Sequence, residues 1–558
     1  MKAQFIMPAM IVVLMVMLSC SNPQEKEMQN FIDDYVAHVQ PLYKKAALAN
    51  WEAATTGKQE SYEKYAALEL ELRQIHSDPA KFAQLKRLKD SKAVEAPLLA
   101  RQLDVLYNAY LPNQIDTTLL EQIVQKSSHV EQKFSTFRGE MNGKKVSNNE
   151  IEGILKNETD SSIRKQAWLA GKQVGEKVAD DVIELAKLRN AGAQKLGFPN
   201  YHSMSLYATE QNIEELDQVF ADLADLTDEP FAQLKNELDT ILADMYGVGV
   251  DGLMPWHYHD PFFQETPLVY SINLDSYYAD KDVVELARQF FAGINMDVGS
   301  ILENSDLYER EGKNPHAFCT NIDRQGDVRI LCNVKNNERW METMLHELGH
   351  GVYDKFNDRS VPYILREPAA AFTTEAIAMF FGRLSRNANW MHGMLELSDE
   401  ERDAIAQVAD KYMQLKQLIF ARWAKVMYNF EKEFYADPDQ DLNALWWKLV
   451  ERYQMVQKPA GRDEPDWAAK IHVAIYPVYY HNYLLGELFA SQLHHYIITN
   501  ILAMEPDAAV SYINQVHVGD YLKEKVFEPG ATAPWNMMIE NATGEPLTAT
   551  YFVQQFVE

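Results

Sequence analysis

Three features of this 558-residue chain point to a mainly α-helical fold. Apolar residues recur at helical spacing over long stretches, strand-like runs are few, and no Pro-, Gly- or Ser-rich linker divides the chain. Apolar residues make up 47%, enough to bury a sizeable core. The expected architecture is one large helical domain, two-lobed around a deep central cleft, with a small β-hairpin beside the functional helix.

The elements follow in chain order. Lys2 gives a positive start, and residues 5–18 are nearly all apolar. That run is short for a membrane span but fits the apolar region of a signal peptide. It ends in Leu18-Ser19-Cys20, followed by polar residues. The pattern is similar to a bacterial lipoprotein signal, in which Cys20 becomes the lipidated first residue. Met17 stands where such signals usually have Leu, and an ordinary secretory signal with an incidental cysteine is the alternative. Both readings imply export from the cytoplasm; the lipoprotein reading places the protein in a bacterial cell envelope, with membrane contact only through an N-terminal lipid anchor. The expected layout is a signal peptide over 1–19, a polar tether over 20–27 and one domain over 28–558.

Helical periodicity is clear over 61–75, 98–109, 160–196, 213–245, 282–292, 400–436 and 480–502. Breaks come at Gly197-Phe198-Pro199, Pro255, Pro362 and Pro459. Residues 138–145 are mildly basic and read as a solvated loop. Residues 328–334 are the clearest strand. If Gln325-Gly326 forms a two-residue hairpin turn, Cys319 falls opposite Cys332 in a non-hydrogen-bonded pair. A cross-strand disulfide and two free buried thiols are the alternatives. The net charge of −28 excludes a nucleic-acid partner and repels anionic lipid.

The chemistry resides in His346-Glu347-Leu348-Gly349-His350, an H-E-x-x-H string. The chain's own His and Glu frequencies supply about 0.03 such strings by chance. Residues four apart share one helix face, so both imidazoles can point at one metal ion. Glu347 then sits beside the ion as a general base. Catalytic zinc takes three protein ligands, leaves a position open and lowers the pKa of water to about 7. This is the chemistry of peptide-bond hydrolysis. A hairpin just before this helix offers an edge strand on which an extended peptide can lie.

Several segments together resemble the angiotensin-converting enzyme family of zinc peptidyl-dipeptidases. The H-E-x-x-H string is followed by Arg366-Glu367 through Phe372 to Glu375-Ala376-Ile377. Upstream stands His316-Ala317, and downstream stand Trp446-Trp447, Tyr453-Gln454, the run from Asp466 to His472, and Tyr479 to Tyr483. The C-terminal stretches from Phe527 to Trp535 and from Thr543 to Leu547 add to the likeness, which is strongest over 310–558. The resemblance implies zinc held by His346, His350 and Glu375, with Glu347 as base and then acid. It implies His472 and Tyr483 as oxyanion donors. It implies His316 and Ala317 on the substrate-binding strand, with Lys470, Tyr480 and Gln264 holding a C-terminal carboxylate. Glu367 is a candidate partner for a ligand imidazole.

There are departures from the family pattern. The family's proline position is Ala371, Phe372 sits one residue early, and one residue is inserted between His472 and Tyr483. The family's aspartate four residues after the third ligand is Met379. Asn482 stands where chloride-activated members have arginine. The implied activity is release of C-terminal dipeptides from oligopeptides. An oligoendopeptidase and an inactive peptide-binding protein are the alternatives.

Overall fold

The computed structural model describes residues 22–270 and 273–557. Cys20 and the apolar run over 5–18 lie outside them. The described residues form 22 α-helices and two small antiparallel hairpins, as the periodicity requires. Among them, no helix is long and apolar enough to cross a membrane.

The tether expected over 20–27 is corrected within the described residues. A helix already spans Pro23–Thr56, capped by the Asn22 side chain with Pro23 at its first position. Asparagine at the cap and proline just inside favour helix initiation. The Glu25 carboxylate accepts from the backbone N–H of Glu95 and Ala96, tying this first turn to the body.

A large apolar core includes residues from Val130 to Phe556. A smaller core joins helices of residues 23–110 to Ile364, Leu365 and Ala531. The central cleft has two chambers of about 730 and 1150 Å³, and His346, Met379 and Tyr483 line both.

Residues 138–145 form a hairpin rather than a loop. Strands β1 (Gly139–Met141) and β2 (Lys144–Val146) pair antiparallel. They lie against the helix Ser161–Lys195, so closely that a Cβ at Gly139 would come 2.6 Å from the Ala170 carbonyl oxygen.

The second hairpin pairs β3 (Phe318–Asn321) with β4 (Val328–Leu331), and Cys319 faces Ile330, not Cys332. The expected register is therefore off by two residues, and both cysteines are free thiols. Side chains at the turn cause the shift. Asp323 accepts from the N–H of Gln325 and Asp327, and Asn321 accepts from that of Arg324. These local bonds open the connection into a six-residue loop in place of a two-residue turn. Cys332 lies beyond the hairpin, where its N–H donates to the Asp306 carbonyl at 2.9 Å.

The H-E-x-x-H string lies in the helix Glu338–Lys355, started by the Asn337 side chain accepting from Trp340 N–H. It packs against the helix Ala371–Gly382, which carries Glu375. A Cβ at Gly349 would come 2.8 Å from Ala378 Cα. Only glycine lets the two backbones approach this closely. Gly349→Ala must push the helices apart and should cost about 1–3 kcal/mol of stability. Denaturant unfolding checks this, and an unchanged midpoint contradicts it.

Candidate active site

His346 and His350 project from successive turns of one helix, and Glu375 comes from the neighbouring one. Their ligand atoms lie within 4.8 Å of one another. Glu375 Oε2 stands 3.9 Å from Nε2 of each histidine. Tetrahedral zinc with bonds near ~2.0–2.1 Å holds its ligand atoms roughly 3.3 Å apart. The donors thus need only small movements to close on such an ion. His350 is also oriented from behind, with its Nδ1 2.7 Å from the Thr374 hydroxyl.

Burial sets the protonation states. It pushes His346 down to about 4 and His350 down to about 3, so both rings are neutral and offer lone pairs. It pushes Glu347 up to about 8, with Glu375 adding repulsion, and Glu375 up to about 7, with Glu487 adding repulsion. Desolvated carboxylates beside neutral imidazoles form a donor set suited to a dication, which would stabilise both carboxylates in their charged form. The residues present therefore fit zinc.

Tyr483 stands in the first turn of the helix His481–Tyr496 and lines both chambers beside His346. His472 lines the larger chamber, and its Nδ1 is buried with no protein partner. Lys470, Tyr480 and Gln264 meet in that same chamber. Lys470 Nζ donates to Gln264 Oε1 at 2.6 Å and lies 5.3 Å from the Tyr480 ring centroid. The loop bearing Gln264 is fastened by Asp260, whose carboxylate accepts from the N–H of Phe262, Gln264 and Glu265. The Gln454 amide adds bonds to the carbonyls of Phe262 and Phe263. Ala317 lines the smaller chamber, next to β3. His316 is exposed and does not line either chamber.

The sequence profile of the angiotensin-converting enzyme family matches residues 22–557. This chain belongs to the angiotensin-converting enzyme family. A curated relative, the inactive angiotensin-converting enzyme-related protein of Caenorhabditis elegans, is 21% identical over 370 residues. The alignment covers 59% of this chain and 40% of that protein, so the chain spans less than half the length of the relative it matches. That relative's name declares it inactive.

Against the angiotensin-converting enzyme pattern, one expected role is corrected. Glu367 does not orient an imidazole. It pairs with Arg324 on the wall of the smaller chamber, drawn there by the guanidinium. The imidazole partner is Thr374, which sequence reasoning missed although it directly precedes Glu375. Met379, where the family has aspartate, lines both chambers. The carboxylate acting on His346 is Glu342, one turn earlier on the same helix and bridged to Lys416 at 3.2 Å. Its position four residues before His346 was the available signal. Partners behind ligands tune metal affinity by about 10–100-fold. Thr374→Val should weaken zinc binding by that order while leaving the helical content intact. Competition with a chelator, read beside circular dichroism, tests this, and unchanged affinity contradicts it.

Proposed function

We propose that this protein is a zinc peptidyl-dipeptidase that releases C-terminal dipeptides from oligopeptides. One observation carries the reading. Lys470, Gln264 and Tyr480 meet in a chamber that opens onto His346, so a carboxylate anchor and a metal-donor set share one cleft. A fixed span between the two selects the second peptide bond from the end.

His346, His350 and Glu375 would hold the zinc ion, which supplies Lewis acidity and water of lowered pKa. Glu347 takes a proton from the attacking water and passes it to the leaving amine. Its position beside the backbone amide of Cys319 links this base to the strand on which the substrate lies. Tyr483 and His472 donate hydrogen bonds to the carbonyl oxygen as negative charge develops there. His472 suits this part, because burial and the nearby Lys470 charge hold it down to about 4, which leaves a neutral ring with one N–H. The edge of β3 turned away from β4, next to Ala317, receives the substrate backbone by strand addition.

The second reading is an inactive peptide-binding protein, favoured by the name of the relative. The presence of all three donors and Glu347 favours hydrolysis. The N-terminal segment adds to the proposal an enzyme exported to a bacterial envelope on a lipid anchor.

Mass spectrometry of products from free-ended peptides should show dipeptides leaving the C-terminus. Glu347→Gln should keep zinc and lose about 10²-fold or more in kcat/KM. Converting the substrate's terminal carboxylate to an amide should slow cleavage sharply. Equal cleavage of the amide points instead to an oligoendopeptidase, and full activity of the variant removes Glu347 from the mechanism.

Chloride should have little effect on the rate. Asn482 is buried between amide partners, accepting from Gln211 Nε2 at 2.7 Å and donating to the Tyr479 carbonyl at 3.0 Å. It supplies no positive charge beside Tyr483. A large rate rise on titrating chloride at constant ionic strength contradicts this.

A further inference from the structure

The smaller chamber holds a carboxylate that the mechanism does not use. Asp354 lies four residues after His350 and seven after Glu347, on the same face of their helix. Four residues of helix advance about 6 Å, so Asp354 stands beyond the metal donors at the far end of the chamber. Tyr43, Asn321, Arg324 and Glu367 line the chamber with it.

The charges there are unevenly matched. Arg324 is taken up by Glu367 and sits over the rings of Tyr43 and Tyr363. Asp354 has no lysine, arginine or histidine partner among the described residues. Burial, with Glu367 adding repulsion, pushes it up to about 7, although an Asn321 hydrogen bond and the nearby Arg324 charge pull the other way. At the other end of the cleft, Lys470 likewise has no ion-pair partner among the described residues; it donates to the Gln264 amide and lies over the Tyr480 ring. The cleft thus offers an amine without an ion pair at one end and a carboxyl without an ion pair at the other.

Strand β3 fixes the direction of travel. It runs from beside Ala317 and Glu347 toward Asn321, whose side chain reaches Asp354. A peptide laid on it advances about 3.3 Å per residue. Its second or third residue upstream of the scissile bond then comes level with Asp354. The chain's net charge of −28 also draws cationic peptides toward the protein.

Building on the peptidase reading, we propose that Asp354 makes this end of the cleft a subsite for a positive charge two or three residues upstream of the scissile bond. The cation is a lysine or arginine side chain, or the free α-ammonium group of a short peptide. In either case Asp354 is a specificity-determining residue.

The test uses the zinc-loaded full chain and peptides that share one scissile bond and one C-terminal dipeptide. The second and third upstream residues are lysine, alanine or glutamate, and each short peptide is made with a free and an acetylated N-terminus. Relative kcat/KM is measured by competition. Binding of the same peptides is measured on Glu347→Gln, so a failure of hydrolysis does not silence the readout. We expect lysine to exceed alanine by on the order of tenfold, and this ratio to fall close to one in Asp354→Asn. Asp354→Lys should turn the preference toward glutamate. Loss of preference on acetylation alone assigns the subsite to the α-ammonium group; insensitivity to acetylation assigns it to the side chain. A lysine-to-alanine ratio that is the same in wild type and Asp354→Asn, in both hydrolysis and binding, overturns the proposal. Absence of cleavage with the binding preference intact overturns the peptidase reading and leaves the subsite standing.

Discussion

The separation of two helices governs the rest of this molecule. Glu375 reaches the two histidines only because Gly349 lets the helix Glu338–Lys355 close onto Ala378. On its other side the Glu375 helix is held by Gly486, where an added Cβ would lie 3.4 Å from Glu375 Cβ. The third donor is thus fixed from two directions by missing side chains. Metal coordination tolerates errors of only a few tenths of an ångström in bond length. Backbone contact is a more rigid spacer than interlocking side chains, which can change rotamer.

Desolvation is the second organising force. The donor histidines are kept neutral, and Glu347, Glu375 and Asp354 all sit well above the usual carboxylate range for want of water. Such groups destabilise an empty fold and favour a cation where one is bound. Glu487, which raises Glu375, is itself paired with Arg383, so the repulsion near the donors is partly contained. The cleft walls mix groups without an ion pair, Asp354 and Lys470, with paired ones such as the Arg386 fork on Glu338. An unpaired charge in a cleft gains most when a ligand supplies its partner, which links the stability of these walls to what they bind.

Some of this was legible in the chain and some was not. The helices from Ser161, Ile213 and Asp399 read correctly because long apolar periodicity survives any tertiary detail. The hairpin register did not read correctly, because Asp323 and Asn321 bonded their own backbone and widened the turn by side-chain contacts that a residue count omits. The partnership assigned to Glu367 failed for a similar reason. Arg324, forty-three residues earlier, competes for the carboxylate, and nothing local announces it. Thr374 and Asp354 were invisible because a threonine and an aspartate on a helix are ordinary until a cleft forms in front of them.

By itself the sequence determined the helical class, the pair of imidazoles one turn apart and the identity of the carboxylate beside them, since all three depend on spacing along helices. Its resemblance to the family also named Glu375, Lys470 and Gln264. The tertiary structure alone decided that these distant segments converge, that Thr374 rather than Glu367 backs a ligand, and that the two cysteines remain apart. Local periodicity is fixed by backbone geometry over a few residues. Convergence depends on how closely whole helices pack, and that is set by contacts between residues far apart in the chain.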